Sequence, residues 1–427
     1  MTNPTLIILG KSFSFLIKNL NLGHGSTWPG HIALKANKSF IEKSLKRENV
    51  KTIVIAGTNG KTTTSKLLKT IIEKNEGKVF QNQSGANLLN GIASTIILES
   101  NINGKLKKDF AVLEVDENTL PLIVDSFIPD YIIALNLFRD QLDRYGEVDT
   151  IAEKWKESFK KLPESTTVIL NADDPLIAFL GKDIKAKTLF FGLNENSSAT
   201  THEAADSVYC PICKAKLEYS SFTFSHLGNW SCVNCNFKKP ILALSNVSNY
   251  PLSGTYNKYN TLAAILTAKT LGFNNEKIEK ALLGFSPAFG RQEVLTAKSK
   301  KVQIILAKNP TSFNESLKTI DELSARNLLL VLNDRIPDGK DVSWIWDTNL
   351  KLAKNIKNIT VSGDRAFDMA LRVKYSDIRV NIETEESLKI AIRLALEKTG
   401  ENETLFILPT YSAMLEVRKI LTGKKIL

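Results

Sequence analysis

The sequence predicts an α/β protein of two main units, the first carrying a small four-cysteine ribbon as an insertion. Three observations predict it. A β-branched strand runs into a glycine loop and then a helix at residues 52–64. Two C-x-x-C pairs stand 18 residues apart further on. From Val302 to the end, short apolar strands alternate with amphipathic helical patterns, the signature of a doubly wound parallel sheet. The expected divisions are a leader over residues 1–45, a phosphate-loop domain over 46–295 with the ribbon at about 203–245, and a doubly wound α/β domain over 296–427.

At 427 residues the chain is long enough for two or three domains with large cores. Its net charge of +11 favours anionic partners such as phosphorylated substrates, acidic headgroups or nucleic acid. No apolar run reaches the roughly 20 residues of a membrane span, so the reading is a cytoplasmic protein. The leader opens with Leu6, Ile7, Ile8 and Leu9, then Phe13, Phe15, Leu16 and Ile17, interrupted by Lys11 and Lys18. That pattern reads as an amphipathic helix, packed on the body of the protein or laid on a membrane surface. Residues 23–30, rich in glycine, read as a loop.

The first strand, residues 52–56, is a buried apolar run. It breaks at Gly57 and Gly60, and Leu67, Leu68, Ile71 and Ile72 then mark one helix face. Glycines let backbone N–H groups close round phosphate oxygens, and the helix N-terminus adds positive potential. Lys61 supplies a charge to the phosphates and Thr62 a hydroxyl to Mg²⁺. The spacing is shorter than G-x-x-x-x-G-K-[ST], since Ile55 occupies the first position of that pattern. A plain glycine turn is the alternative.

Residues 110–117 form a second buried strand ending in Glu114, Asp116 and Glu117. Strand-end acids of this kind hold Mg²⁺ in phosphate-loop enzymes, and the strand pattern alone favours Asp116. A third strand, 131–135, leads into Asn136, Asp140, Gln141 and Asp143. A fourth, 168–170, ends in Asn171, Asp173 and Asp174.

Cys210, Cys213, Cys232 and Cys235 are the only cysteines of the chain. Two knuckles at this spacing fit a tetrahedral Zn²⁺ ribbon with no open position, a structural rather than catalytic site. Two disulfides are the alternative, disfavoured in a reducing compartment. His202 and His226 flank the knuckles and read as surface residues.

Past the ribbon, Asn257 and Asn260 open a helix and share one face of it, where they could read a base edge or phosphates. Asn257 acting only as a helix cap is the alternative. In the last unit, strands are expected at 302–307, 328–332, 359–362, 378–382 and 404–408, with helices at 313–324, 347–356, 364–373, 386–398 and 411–421. Ligands of such sheets sit beyond the carboxyl ends of strands. The loop there, residues 333–347, packs acids, among them Asp338 and Asp341, against Trp344 and Trp346. A stable turn with aromatic plugs is the alternative.

Several of these segments together resemble the Mur ligase family, which join amino acids to carboxylates through acyl phosphates. Gly57-Thr58-Asn59-Gly60-Lys61-Thr62-Thr63 is similar to the family's ATP loop, Asn136-x-x-x-Asp140 to its N-x-x-x-D-H-x-D segment, and Gly290-Arg291-Gln292-Glu293 to its G-R-x-E. The resemblance implies that Glu114 rather than Asp116 holds Mg²⁺, that Asn257 and Asn260 face the nucleotide, and that Arg291 contacts ATP. Gln141 replaces a histidine that helps hold a second metal, and Lys154 is out of step with the family's carbamylated lysine. Most family members carry a whole domain before the ATP loop, where this chain shows only the short leader.

The ribbon inside the ATPase core, Lys308-Asn309-Pro310 in place of H-N-P, and D-G-x-D-x-S-W-I-x-D at 338–347 resemble one branch of the family in particular. That branch is the ligase half of lipid II isoglutaminyl synthase. The resemblance implies ATP-dependent amidation of the D-glutamate α-carboxylate of the lipid II stem peptide, at the inner face of the cell membrane. Ammonia is expected from a GatD-like glutaminase subunit in a heterodimer, with Asp341 completing the partner's catalytic triad. Glutamine hydrolysis needs a thiolate and a histidine base, and here zinc takes every cysteine. Lys61, Glu114 and Asp341 are therefore the expected catalytic residues. The rival readings are a ligase adding an amino acid, as in folate polyglutamation, a regulatory protein that binds ATP without turnover, and a nucleic-acid-binding ATPase. The last lacks the interleaved basic and aromatic pattern of such a platform, and no nucleic acid is expected.

Overall fold

The computed structural model describes residues 3–19, 27–82, 86–139, 148–194 and 207–423. Within the phosphate-loop domain, β1 (Lys51–Ala56), β2 (Val79–Gln81), β3 (Phe110–Glu114), β4 (Tyr131–Ala134), β5 (Thr167–Asn171) and β6 (Lys187–Phe191) form one sheet. Its order is β2-β3-β1-β4-β5-β6, and every pairing is parallel. A central parallel strand is covered on both faces, which is why residues 52–56 read as an unbroken apolar run. Ile53 and Ile55 enter one core with Leu67, Leu68, Ile71 and Ile72, while Val54 and Ala56 enter the other.

The leader forms α1 (Asn3–Asn19), α2 (Trp28–Ala36) and α3 (Phe40–Arg47). Residues 27–30 of the expected loop instead open α2, with Pro29 at a position in the first turn where its missing N–H costs nothing. Leu6 and Ile7 are buried in the first core, so α1 does pack on the body. Its opposite face, with Ile8, Leu9, Phe13 and Phe15, stays exposed.

The last unit is a second sheet of β9 (Arg291–Ala297), β10 (Lys300–Ile305), β11 (Asn327–Val331), β12 (Asn358–Ser362), β13 (Asn381–Thr384) and β14 (Thr404–Pro409), in the order β13-β12-β11-β14-β10-β9. All its pairings are parallel except β9 with β10, an antiparallel hairpin edge. That edge strand was not anticipated from sequence; it shows only weak alternation between Arg291 and Ala297.

One expected helix is absent. In place of a helix over 347–356 there is the end of one short 3-10 turn, Ser343–Asp347, and a second, Leu350–Leu352. Thr348 is extended, and the Asn349 side chain accepts the Lys351 N–H while its own N–H donates to Asn314. Short polar side chains here offer the backbone alternatives to helical bonding.

Candidate active site

β1 ends where its neighbours diverge, β3 on one side and β4 on the other, the point at which open parallel sheets bind ligands. Gly57 sits there at φ +144°, and a Cβ on it would come within 3.1 Å of Asn136 backbone atoms. Thr58 N–H donates to the Asn136 carbonyl, and Asn59 exchanges bonds with the Asn136 amide at 2.9 and 3.0 Å. Gly60, at φ +92°, lies so close to Asn260 that a Cβ would stand 2.1 Å from its Oδ1. The loop thus has room for backbone alone. The next helix, α4 (Lys61–Lys74), begins with no side-chain cap, leaving its first N–H groups directed at the loop's mouth.

Lys61 Nζ reaches back to the carbonyls of Gly57 and Thr58 and lies 3.6 Å from Glu117. Glu114 is buried at the end of β3 and accepts from Thr62 at 2.8 Å and from Ser65 at 2.6 Å. Asn82 fixes it from behind, accepting its N–H and donating to its carbonyl. Asp116 instead serves the chain reversal into α6 (Thr119–Ser126), accepting Asn118 N–H and, through its carbonyl, Thr119 N–H. Glu114 is therefore the strand-end acid that stands against Thr62. Ser65 and Asn82 were not singled out from sequence; Ser65 lies one turn beyond Thr62 on the same helix face, a signal that could have found it.

Asn257 and Asn260 are both buried, near the start of α9 (Thr255–Thr270). The cap position is Gly254; Asn257 lies inside the helix and donates to Ser253, while Asn260 donates to Asn257. Arg291 opens β9 and faces the same cleft, which Asn59, Gly60, Thr63, Asn136 and Tyr256 also line. Burial pulls its guanidinium below the ordinary value, and the Glu114 charge opposes that shift. Glu293 anchors the strand start through Arg418 and the Gly290 N–H. Residues 291–295, expected in the phosphate-loop domain, belong to the second sheet through β9, and the two sheets' units meet here: Gln292 donates to Ser253 and Tyr256, and Asn309 donates to Asn59. Gln141, Asp140 and Asp143 lie outside the described residues, and so does His202.

The four cysteines gather with every Sγ within 4.8 Å of the others. The closest pairs, Cys210–Cys235 and Cys213–Cys232, are 3.6 and 3.4 Å apart. A Zn–S bond of about 2.3 Å in a tetrahedron sets the sulfurs about 3.8 Å apart, so the set fits that ion. Hydrogen bonds from Asn234 and the Ala215 amide pull the Cys213 thiol down to about 6, while burial pushes the neighbouring Cys210 thiol up to about 12. His226 is not a surface residue: it is fully buried, 3.4 Å from Asp174 and packed on Phe138.

Asp341 is not among the residues that line this cleft. It is exposed on the loop after β11, and its carboxylate accepts the Ser343 N–H at 2.8 Å, which holds its pKa below the usual carboxylate range. Asp338, in contrast, is buried and bonded to Ser412. Trp344 is a plug against Phe313. Trp346 lies on the surface beside Tyr375, with the Arg372 guanidinium over its ring.

Two family models match: the Mur ligase middle domain over residues 55–268, and the MurT ligase C-terminal domain over residues 306–414. The MurT subunit of the glutamine-hydrolyzing lipid II isoglutaminyl synthase of Streptococcus pneumoniae is 33% identical, covering 98% of this chain and 97% of that one. The chain belongs to the MurT family. The MurT subunit from Staphylococcus aureus strain COL is 32% identical over 91% of both chains. A pseudomurein peptide ligase type C from Methanothermus fervidus shares the fold with a TM-score of 0.65 at 23% identity, covering 90% of this chain and 81% of its own. MurF ligase from Thermotoga maritima, solved in complex with ADP, does so with a TM-score of 0.60 at 16% identity, over 90% and 82%. Both MurT relatives match the chain from before the loop at Gly57 to beyond Asp341, and the MurT C-terminal match contains Asp341 itself.

Proposed function

We propose that this chain is the ATP-dependent ligase subunit of a glutamine-hydrolysing lipid II isoglutaminyl synthase. One observation carries the division of labour. All four cysteines are held in one cluster, so no thiol remains for glutamine hydrolysis and nitrogen must arrive from outside the chain.

The chemistry follows the cleft. ATP lies with its phosphates on the loop at residues 57–63, and an oxygen of the D-glutamate α-carboxylate attacks the γ-phosphorus. ADP leaves and an acyl phosphate forms. Ammonia then attacks the carbonyl carbon, phosphate departs, and the nitrogen gives up a proton to leave the amide. Lys61 swings from the loop carbonyls onto the β/γ oxygens, and the free N–H groups of α4 hold the chain of phosphates. Thr62 and Glu114, 2.8 Å apart, would hold Mg²⁺, which would supply charge neutralisation at the transferring group. Asn257, Asn260 and Arg291 orient the nucleotide. Zn²⁺ on the four cysteines is structural.

A GatD-like glutaminase is the partner, and Asp341 is its contact. Five residues along the chain, exposed Trp346 lies 6.4 Å from exposed Tyr375, at the end of a helix that also exposes Phe367 and Leu371, the composition of a protein-binding surface. Asp341 orients the partner's histidine base, as the acid of a triad does.

The substrate's lipid places the work at a membrane surface. The exposed face of α1 and neighbouring Trp28 and Ile32 fit an interface, and the first 41 residues hold four lysines and no acid. Vesicles containing phosphatidylglycerol should carry the protein upward in flotation, and Phe15→Ser with Ile8→Ser should reduce that several-fold. Equal flotation of the double variant would contradict this placement. Mass spectrometry of the lipid II stem peptide after incubation with ATP and labelled ammonium tests the amidation itself.

A further inference from the structure

The two knuckles sit at the base of an antiparallel hairpin, β7 (Glu218–Phe224) and β8 (Leu227–Ser231), and Cys232 directly follows β8. The far end of that hairpin does not project into solvent. Phe224 and Leu227 are buried in the same core as Tyr259 and Leu262 of the ATPase helix. Phe224 stacks on Phe138 at 5.8 Å and meets Tyr259 edge-on at 5.7 Å. Two bonds tie the hairpin to the strand-end segment after β5: Gly228 N–H to the Asp173 carbonyl, and Trp230 Nε1–H to the Ala172 carbonyl.

The cleft lined by Asn59, Gly60 and Thr63 is also lined by these rings. Phe138, Phe224, Leu227 and Tyr259 line it together with the amides of Asn136 and Asn257. Part of the lining is polar backbone suited to phosphates, and part is aromatic rings with amide donors and acceptors, suited to a purine base.

We propose that the tip of the ribbon hairpin, through Phe224 and Leu227, is a wall of the base subsite, so that the metal at the hairpin's foot sets nucleotide affinity. This rests on the reading that ATP occupies the glycine loop. A two-stranded hairpin alone is marginal in water. Four thiolates on one ion clamp both strands at their open end, and the five residues of β8 carry that restraint about 17 Å to the tip. Without the clamp the strands can splay, and the slot loses its fixed wall.

The test is equilibrium binding of ADP and, separately, of inorganic pyrophosphate to the full chain, with zinc content measured on each sample. Phe224→Leu keeps apolar volume and removes the ring; Phe224→Ala removes both. Both are expected to retain one zinc per chain. ADP affinity should fall about ten-fold in Phe224→Ala and less in Phe224→Leu, a loss of stacking worth roughly 1–1.5 kcal/mol. Pyrophosphate, which reaches only the loop, should bind parent and variants alike. Cys235→Ser, or chelator-treated parent with unchanged circular dichroism, should lose ADP affinity in the same way, and added Zn²⁺ should restore it to the chelated parent. Unchanged ADP affinity in Phe224→Leu, or a parallel loss for pyrophosphate, overturns the wall. Unchanged ADP affinity in folded, zinc-stripped parent overturns the coupling. Failure of the parent to bind ADP at all would instead overturn the ATP reading.

Discussion

Lys61→Ala is expected to reduce ATP turnover by at least 10²–10³-fold, roughly the cost of removing one charged or donor group aimed at a developing transition state. The fold should survive, because Lys61 is half-buried at a loop mouth and its partners are two carbonyls and Glu117 rather than core side chains. Its loss leaves Glu117, buried and 3.6 Å away, without that counter-charge, so a modest drop in melting temperature accompanies the loss of activity. Phosphate release with saturating substrate checks the first expectation and thermal unfolding the second. Turnover at the parent rate would remove the glycine loop from the mechanism.

Asp341→Asn should divide the reaction in two. With glutamine as nitrogen donor, the reconstituted complex should lose roughly 10³–10⁴-fold in amidation, as when a triad loses the carboxylate that fixes its histidine tautomer. With a high concentration of ammonium chloride the same variant should amidate at the parent rate. The geometry motivates this split: Asp341 is exposed, bonded among the described residues to its own loop at Ser343, and is not among the residues lining the cleft at the glycine loop. Asparagine can still accept the Ser343 N–H, so the loop should keep its shape. Lys61→Ala, by contrast, fails with both donors. A variant equally dead with ammonium would place Asp341 in the ligase site or in folding.

The sequence made the strands and the ribbon legible because their signals are local. A buried parallel strand shows as an apolar run, and two C-x-x-C turns show their own spacing. The choice between Glu114 and Asp116 was not local. It depends on where β3 stops: the strand ends at Glu114, against Thr62 and Ser65, while Asp116 already lies in the turn into α6, so the family resemblance could point to Glu114 and the strand pattern could not. The expected helix at 347–356 failed because Thr348 and Asn349 have better partners than a helical backbone would give them. His226 read as surface because nothing in its neighbours signals that a hairpin tip folds back against Phe138. The same fold-back, invisible in sequence, brings Phe224 and Leu227 to the nucleotide cleft.

The most direct test of the central claim is the mass of the product. Lipid II is incubated with ATP, Mg²⁺, the purified complex and ¹⁵N-labelled ammonium, and its stem peptide is then fragmented in a mass spectrometer. The account predicts one substitution, hydroxyl for labelled amine, located at the α-carboxyl of D-glutamate and dependent on ATP. A stem peptide extended by an amino acid, or ATP consumed with the D-glutamate carboxyl unchanged, would contradict it.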